Sequence, residues 1–71
     1  MPKLPVVSGR AAVRALERLG FTQVRQRGSH VVMRRGQYGT VVPMHREIDT
    51  GTLSAIIKQA GLTVDAFCTA L

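Results

Sequence analysis

Aromatic residues and cysteine are scarce in this 71-residue sequence, which has no Trp, one Tyr, two Phe and one Cys. So few rings exclude an extensive aromatic platform for stacking nucleic-acid bases, and they predict a mostly aliphatic core. The single Cys68 cannot form an internal disulfide, which favours a reducing cytoplasm. We expect Cys68 to pack within a helix rather than to act as a nucleophile.

Long apolar runs are also missing. No segment approaches the roughly 20 apolar residues of a membrane-spanning helix, and the opening "MPKLPVVSGR" lacks the long apolar segment of a secretory signal. We therefore predict no membrane partner and a cytoplasmic location. The length predicts a single domain over residues 1–71, and a hydrophobic fraction of 45% is typical of a folded globule.

Acidic residues are few, with four Asp and Glu against ten Lys and Arg and a net charge of +6. Most of the basic residues are arginines, whose planar guanidinium groups suit bidentate binding of phosphate or carboxylate. This balance predicts a polyanionic partner, which is nucleic acid, anionic lipid or an acidic protein.

Metal ligands are poorly grouped. Glu47 and Asp49 form the one close pair of acids, and a helix cap with an Arg46 partner explains them better than Mg²⁺ or Ca²⁺. His30, His45 and Cys68 lack the short ligand spacing of zinc sites. We predict no metal and no cofactor.

Two longer helices and a short one are predicted from apolar residues at helical spacing. The first covers 8–19, with Ser8 as its N-cap and Gly20 after its end. The second begins near Asp49 or Thr50 and ends at Gly61. A short final helix covers 64–70. Arg10, Arg14 and Arg18 form a basic stripe on the first helix, which is either a solvated surface or a contact for phosphate or a partner.

Three strands are predicted between these helices, at 21–27, 30–35 and 40–43. A Gly28-Ser29 turn joins the first two. Gly36 and Gly39 bracket a second turn around Gln37-Tyr38. The elements indicate an α+β fold in which helices cover one face of a three-stranded antiparallel sheet.

The stretch "RQRGSHVVMRRG" at 25–36 carries the candidate chemistry. Histidine can accept and donate a proton near neutral pH, and Arg27 and Arg34 could bind a phosphate near His30. RNA supplies its own nucleophile, the 2′-OH, so these residues would suffice for cleavage without metal. The alternative is a histidine at a strand edge that only caps the turn.

Several motifs together resemble the HicA (YcfA-like) family of bacterial toxins. They are "SGR" at 8–10, "LGF" at 19–21, "RQRGSHVVMRR" at 25–35, "VPMH" at 42–45, "GTLSAIIKQAGLT" at 51–63, and Phe67. Their order and spacing make the resemblance specific, and it covers about residues 4 to 67. One departure is Asp65-Ala66 where the family usually has an acidic pair before the phenylalanine.

The resemblance implies a double-stranded-RNA-binding-like fold, α-β-β-β-α, and an mRNA-cleaving toxin of a type II toxin–antitoxin system. It assigns the catalytic role to His30, and it implies a HicB-type antitoxin that shields this residue. His45 is an auxiliary candidate, which either orients its loop or takes part in catalysis. The predicted RNA-binding residues are Arg27, Gly28, Ser29, Arg34, Arg35 and Lys58.

Two other functions fit the same residues. A double-stranded-RNA-binding module without catalysis would read the shape of RNA through phosphates and 2′-OH groups. A protein adaptor would use its basic surface to hold an acidic partner. The former does not require a histidine after the turn, and the latter predicts no affinity for RNA.

Overall fold

A three-stranded antiparallel sheet and three helices make up residues 4–71, which are the residues that the computed structural model describes. The strand order is β1-β2-β3, so each strand pairs with its neighbour in sequence. The first three residues of the predicted domain lie outside the described part. The element bounds are α1 (Gly9–Arg18), β1 (Thr22–Arg27), β2 (His30–Arg35), β3 (Tyr38–Pro43), α2 (Thr50–Gln59) and α3 (Val64–Ala70). The predicted α+β fold is confirmed.

The helix ends follow the predicted capping residues. The Ser8 hydroxyl accepts a hydrogen bond from the Ala11 amide at 3.0 Å, and Gly20 follows α1 with a φ of 95°. At the start of α2, Asp49 rather than Thr50 is the cap, because its Oδ1 accepts from the Thr52 amide at 2.9 Å. These contacts satisfy amides that have no partner within the helix.

The second hairpin turn is tighter than predicted. Tyr38 and Gly39 belong to β3, and Arg35 pairs directly with Tyr38. The turn is therefore the two residues Gly36-Gln37, not a turn around Gln37-Tyr38. Gly36 has a φ of 58°, and a glycine with positive φ at the first position is sufficient for a two-residue type II′ turn. The second glycine is not needed for the turn and lies in the strand.

The core lies between the sheet and the helices. From the sheet, Val31, Met33 and Val42 are buried, and all three point to the side on which α1 and α2 pack. Leu16 and Phe67 are fully buried against them. Full burial of such a side chain stabilises the fold by about 1.5–3 kcal/mol. Strand residues alternate between faces, so the other face of the sheet is left to solvent.

Gly9 fixes how closely the loop after β3 approaches α1. Its amide donates to the carbonyl of His45 at 2.9 Å. A Cβ at Gly9 would overlap the Pro43 carbonyl oxygen and lie 2.7 Å from the Met44 Cα. Because both neighbours are backbone atoms, a larger residue requires the loop to move.

Gly9→Ala is therefore expected to lower the free energy of unfolding by about 1–3 kcal/mol, as measured by urea denaturation. Gly51→Ala is the matched control. Gly51 is exposed in α2, and its added Cβ would meet the side-chain atom Asp49 Oδ1, at 3.3 Å, rather than backbone, so we expect a change within about 1 kcal/mol. A Gly9→Ala variant as stable as the parent would contradict this close approach.

Candidate functional site

The hairpin between β1 and β2 places His30 at the start of a central strand. Gly28 has a φ of 55°, which lets the two-residue turn Gly28-Ser29 close the hairpin. His30 is the first residue after this turn, and it pairs with Arg27 on β1 and Pro43 on β3. The turn thus sets the position of His30 at one end of the sheet.

The turn receives its side-chain hydrogen bond from Gln26 rather than from the histidine. Gln26 Nε2 donates to the Gly28 carbonyl at 3.0 Å. His30 itself is exposed. Gln26 therefore supports the turn, and the role of His30 stays a prediction.

The uncovered face of the sheet brings arginines to His30. Directly paired residues share a face, so Arg27, which pairs with His30, and Arg25, which pairs with Val32, lie on the same side as the histidine. Arg34 lies four residues after His30 on β2, so its side chain points to the same face. We call this surface the open face, and its residues are Thr22, Arg25, Arg27, His30, Val32, Arg34, Gly39, Val41 and, at its buried edge, Pro43.

The three arginines of the open face lie at different distances from His30. Arg27 is directly opposite His30, with about 5 Å expected between the Cα atoms of such a pair. Arg25 is the diagonal neighbour, at about 7–8 Å. Arg34 lies four residues along β2, about 13 Å from His30. One phosphate at His30 is therefore within reach of Arg27 and Arg25, and Arg34 faces a different part of any bound chain.

Arg25 was not among the predicted RNA-binding residues, although the strand pattern places it on the face of His30. The Gly28-Ser29 turn fixes the Arg27–His30 pair, and counting outward from that pair places Arg25 opposite Val32. The pairing becomes irregular only between Gln23 and Arg25. Alternation from the turn would thus have put Arg25 on the face of His30.

His45 lies in the loop after β3, at the same end of the sheet as His30. The Met44 amide donates to the carbonyl of Ser29, which ties this loop to the β1–β2 turn. The loop borders a groove of about 470 Å³ beside the start of α1. We call it the α1 groove, and its lining residues are Ser8, Arg10, Gln26, Met44, His45 and Arg46.

A family model described as HicA toxin of bacterial toxin-antitoxin matches residues 9–62. The chain belongs to the HicA toxin family. The match begins with α1, runs through the whole sheet and α2, and so includes His30 and His45. Comparison with curated proteins found no significant match.

Membership in the HicA family makes the chain a toxin of a toxin–antitoxin system and implies an antitoxin partner. The structure then shows which predicted site residues of this HicA toxin lie together. Arg27, Arg34 and His30 share the open face, and Gly28 and Ser29 form the turn beside them.

Arg35 and Lys58 lie away from His30 in this HicA toxin. Arg35 alternates with Arg34 and projects to the helix side, where its Nη1 donates to the Leu19 carbonyl at 2.6 Å. Its guanidinium also lies over the Phe21 ring, 5.1 Å from the centroid. Lys58 is exposed on α2, which packs on the helix side. Both arginines were predicted to bind RNA because the sequence does not show which face of the sheet each of them occupies.

Asp49 has a structural role as the N-cap of α2. Hydrogen bonds from the Thr52 amide and hydroxyl lower the pKa of Asp49 below its ordinary value. A lowered pKa means that the ionised carboxylate is the form stabilised in the folded state, and this contribution is lost as the pH falls through the folded pKa. Within residues 4–71, no group of three or more His, Cys, Asp or Glu side chains lies together.

No helix among the described residues is long and apolar enough to cross a membrane. Cys68 is partly buried in α3 as a free thiol, consistent with its predicted packing role.

Proposed function

We propose that this toxin is a metal-independent endoribonuclease that cleaves mRNA, with His30 as its general acid/base. The observation that carries the proposal is the position of His30. It is exposed at the start of β2, on a sheet face that three arginines share and that none of the helices within residues 4–71 covers. This arrangement offers a proton-transfer group beside cations on a surface that a polyanion can reach.

The first chemical step uses the nucleophile of the substrate. His30 accepts the proton of a ribose 2′-OH, and the 2′-oxygen attacks the adjacent phosphorus. Negative charge accumulates on the phosphoryl oxygens in the transition state. The guanidinium groups of Arg27 and Arg25 stabilise that charge, and the backbone N–H groups of Gly28 and Ser29 are further candidates for phosphate contact.

The second half of the reaction expels the 5′-oxygen. As the bond between phosphorus and this oxygen breaks, the oxygen takes up a proton and leaves as a 5′-hydroxyl. The other product end is a 2′,3′-cyclic phosphate. Three groups can donate the proton: water, His45, or His30 after its protonation in the first step.

Arg34 binds the RNA backbone farther along the open face in this proposal. Arg35 is left out, because the Leu19 carbonyl and the Phe21 ring already hold its guanidinium. Lys58 is left out because it lies on the helix side.

The antitoxin partner is proposed to be an acidic HicB-type protein that covers the open face. A toxin with a net charge of +6 attracts an acidic surface, and complementary charge speeds association. Covering His30 would silence cleavage. Because the substrate is mRNA, we place the toxin in the cytoplasm.

RNA binding is expected to depend strongly on salt. Each neutralised phosphate adds about −0.7 to the slope of log affinity against log salt for a single strand, so the three open-face arginines together account for about −2. The measurement is fluorescence anisotropy of a labelled RNA with the His30→Ala variant, which avoids cleavage. Arg25→Gln and Arg27→Gln should each reduce the slope by about 0.7.

Arg14→Gln is the control for the salt titration. Arg14 is exposed on α1, away from the open face. Its replacement by Gln removes the same positive charge as Arg25→Gln or Arg27→Gln. Equal effects of Arg14→Gln and Arg27→Gln, or a flat salt dependence of the parent, would contradict the proposed RNA surface.

Induced expression in cells tests the function itself. The parent toxin should deplete cellular mRNA, and His30→Ala should not. If the parent binds RNA without degrading it, the chain is the binding module that lacks catalysis. If it neither binds nor degrades RNA, the protein adaptor remains.

A further inference from the structure

The α1 groove is a second basic surface, separate from the open face. It lies beside the N-terminal end of α1, and its lining includes Arg10, His45 and Arg46, all of them exposed. Among the residues that the structure describes, no Asp or Glu lines it.

We propose that the α1 groove binds a phosphate of the RNA other than the one that is cleaved. This rests on the proposed function, since it takes the substrate of the open face as the ligand. Arg10 and Arg46 supply the cations, and the Ser8 hydroxyl, whose oxygen already accepts from the Ala11 amide, still has its proton to donate at the wall.

The groove is tied to the site of His30. The amide of Met44, a wall residue, donates to the Ser29 carbonyl in the turn before His30, and His30 pairs with Pro43. His45 follows Pro43 by two residues, so the Cα atoms of His30 and His45 lie within about 13 Å of each other. A continuous RNA strand carries a phosphate at every nucleotide, so a strand held at His30 has another phosphate within reach of the groove.

The walls of the groove are held before any ligand arrives. The His45 carbonyl accepts from the Gly9 amide at 2.9 Å, and the Ile48 amide donates to the Val7 carbonyl at 2.8 Å. Gly9 allows this close approach because a Cβ there would overlap the Pro43 carbonyl oxygen. A rigid wall favours binding, because little loop entropy is lost when the ligand binds.

A second surface cleft, of about 440 Å³, is less suited to binding a phosphate than the α1 groove. It is lined by Arg14, Glu17 and Arg18. Glu17 offsets part of the positive charge, and Arg18 Nη1 already donates to the Ala70 carbonyl at 2.8 Å. The basic stripe of α1 is therefore divided: Arg10 faces the groove, and Arg18 holds α3.

Arg10 and Arg14 provide a matched pair for the test. Both are exposed on α1 and lie one turn apart, and only Arg10 lines the α1 groove. Binding is measured in the His30→Ala background with RNA oligonucleotides of increasing length. Arg10→Gln and Arg46→Gln should each weaken binding of the longer oligonucleotides about five-fold at 0.1 M salt. Oligonucleotides too short to reach the groove should be unaffected.

Arg14→Gln should leave the affinity at every length unchanged. Equal losses from Arg10→Gln and Arg14→Gln would show a general charge effect and overturn the groove site, as would unchanged binding by Arg10→Gln and Arg46→Gln. Loss of affinity for the antitoxin with RNA binding intact would also overturn it, because the groove would then be a protein contact.

Cleavage by the parent is measured in parallel, which separates the two proposals. Groove-dependent binding without any cleavage would remove the proposed function and leave the groove site standing. If the parent cleaves RNA and neither Arg10→Gln nor Arg46→Gln weakens RNA binding, the groove site is removed and the proposed function stands.

Discussion

Replacing His30 with alanine is expected to lower the rate of RNA cleavage by about 10² to 10⁴, the usual effect of removing one general acid/base. The histidine is exposed, and the Gln26 side chain rather than His30 supports the preceding turn. The fold should therefore be retained, with a change in the free energy of unfolding within about 0.5 kcal/mol. Cleavage of a labelled RNA and circular dichroism of the variant measure these two effects.

His45→Ala is the companion variant. Both histidines are exposed and lie at the same end of the sheet. The cleavage rates of His30→Ala and His45→Ala therefore compare the loss of the same side chain at two neighbouring positions. A small effect of His45→Ala leaves water or His30 as the proton donor to the 5′-oxygen, and a loss as large as that of His30→Ala identifies His45 as the donor. If His30→Ala cleaves at the parent rate, His30 is not the general acid/base.

A single 2′-deoxy sugar at the scissile position is expected to abolish cleavage at that position. The proposed nucleophile is the 2′-oxygen, so a strand without it has no group to attack the phosphorus. Cleavage of the all-ribose strand should continue in EDTA, because His30 transfers the proton and the substrate supplies the nucleophile. The measurement compares the two strands by gel electrophoresis, with EDTA present throughout.

Binding provides the control for the deoxy strand. The phosphates are unchanged, so its affinity for the His30→Ala variant should match that of the ribose strand. Cleavage through the deoxy sugar would show that water or a protein group attacks the phosphorus. Arrest of all cleavage by EDTA would show that the reaction requires a metal ion.

The element order was predictable because its signals are local. Ser8, Asp49 and Thr63 are capping residues directly before apolar periodic segments, and each caps a helix in the structure. Gly20 and Gly61 adopt the positive φ that a chain reversal after a helix requires. The bounds of β3 were predicted less well, since two glycines flank the second turn and only Gly36 has a positive φ.

The site was harder to predict than the fold, because it depends on which sheet face the helices cover. Alternation groups His30 with Arg34 and Val31 with Met33, but the sequence does not say which group is buried. The structure buries the latter pair. Arg35 then falls on the helix side, where it binds the Leu19 carbonyl.

The α1 groove could not be predicted from local patterns. Its cations come from α1 and from the loop after β3, which are distant in sequence. The Gly9–His45 backbone contact brings them together. A glycine at the start of a helix gives no sign in the sequence that a distant loop packs against it.

End-group analysis of RNA incubated with the purified toxin in EDTA tests the central claim most directly. The parent should yield fragments with a 2′,3′-cyclic phosphate on one side of the cut and a 5′-hydroxyl on the other. The His30→Ala variant, prepared in the same way, should leave the RNA intact over the same time. Intact RNA with the parent, or the same fragments from both proteins, would contradict the assignment of RNA cleavage to His30.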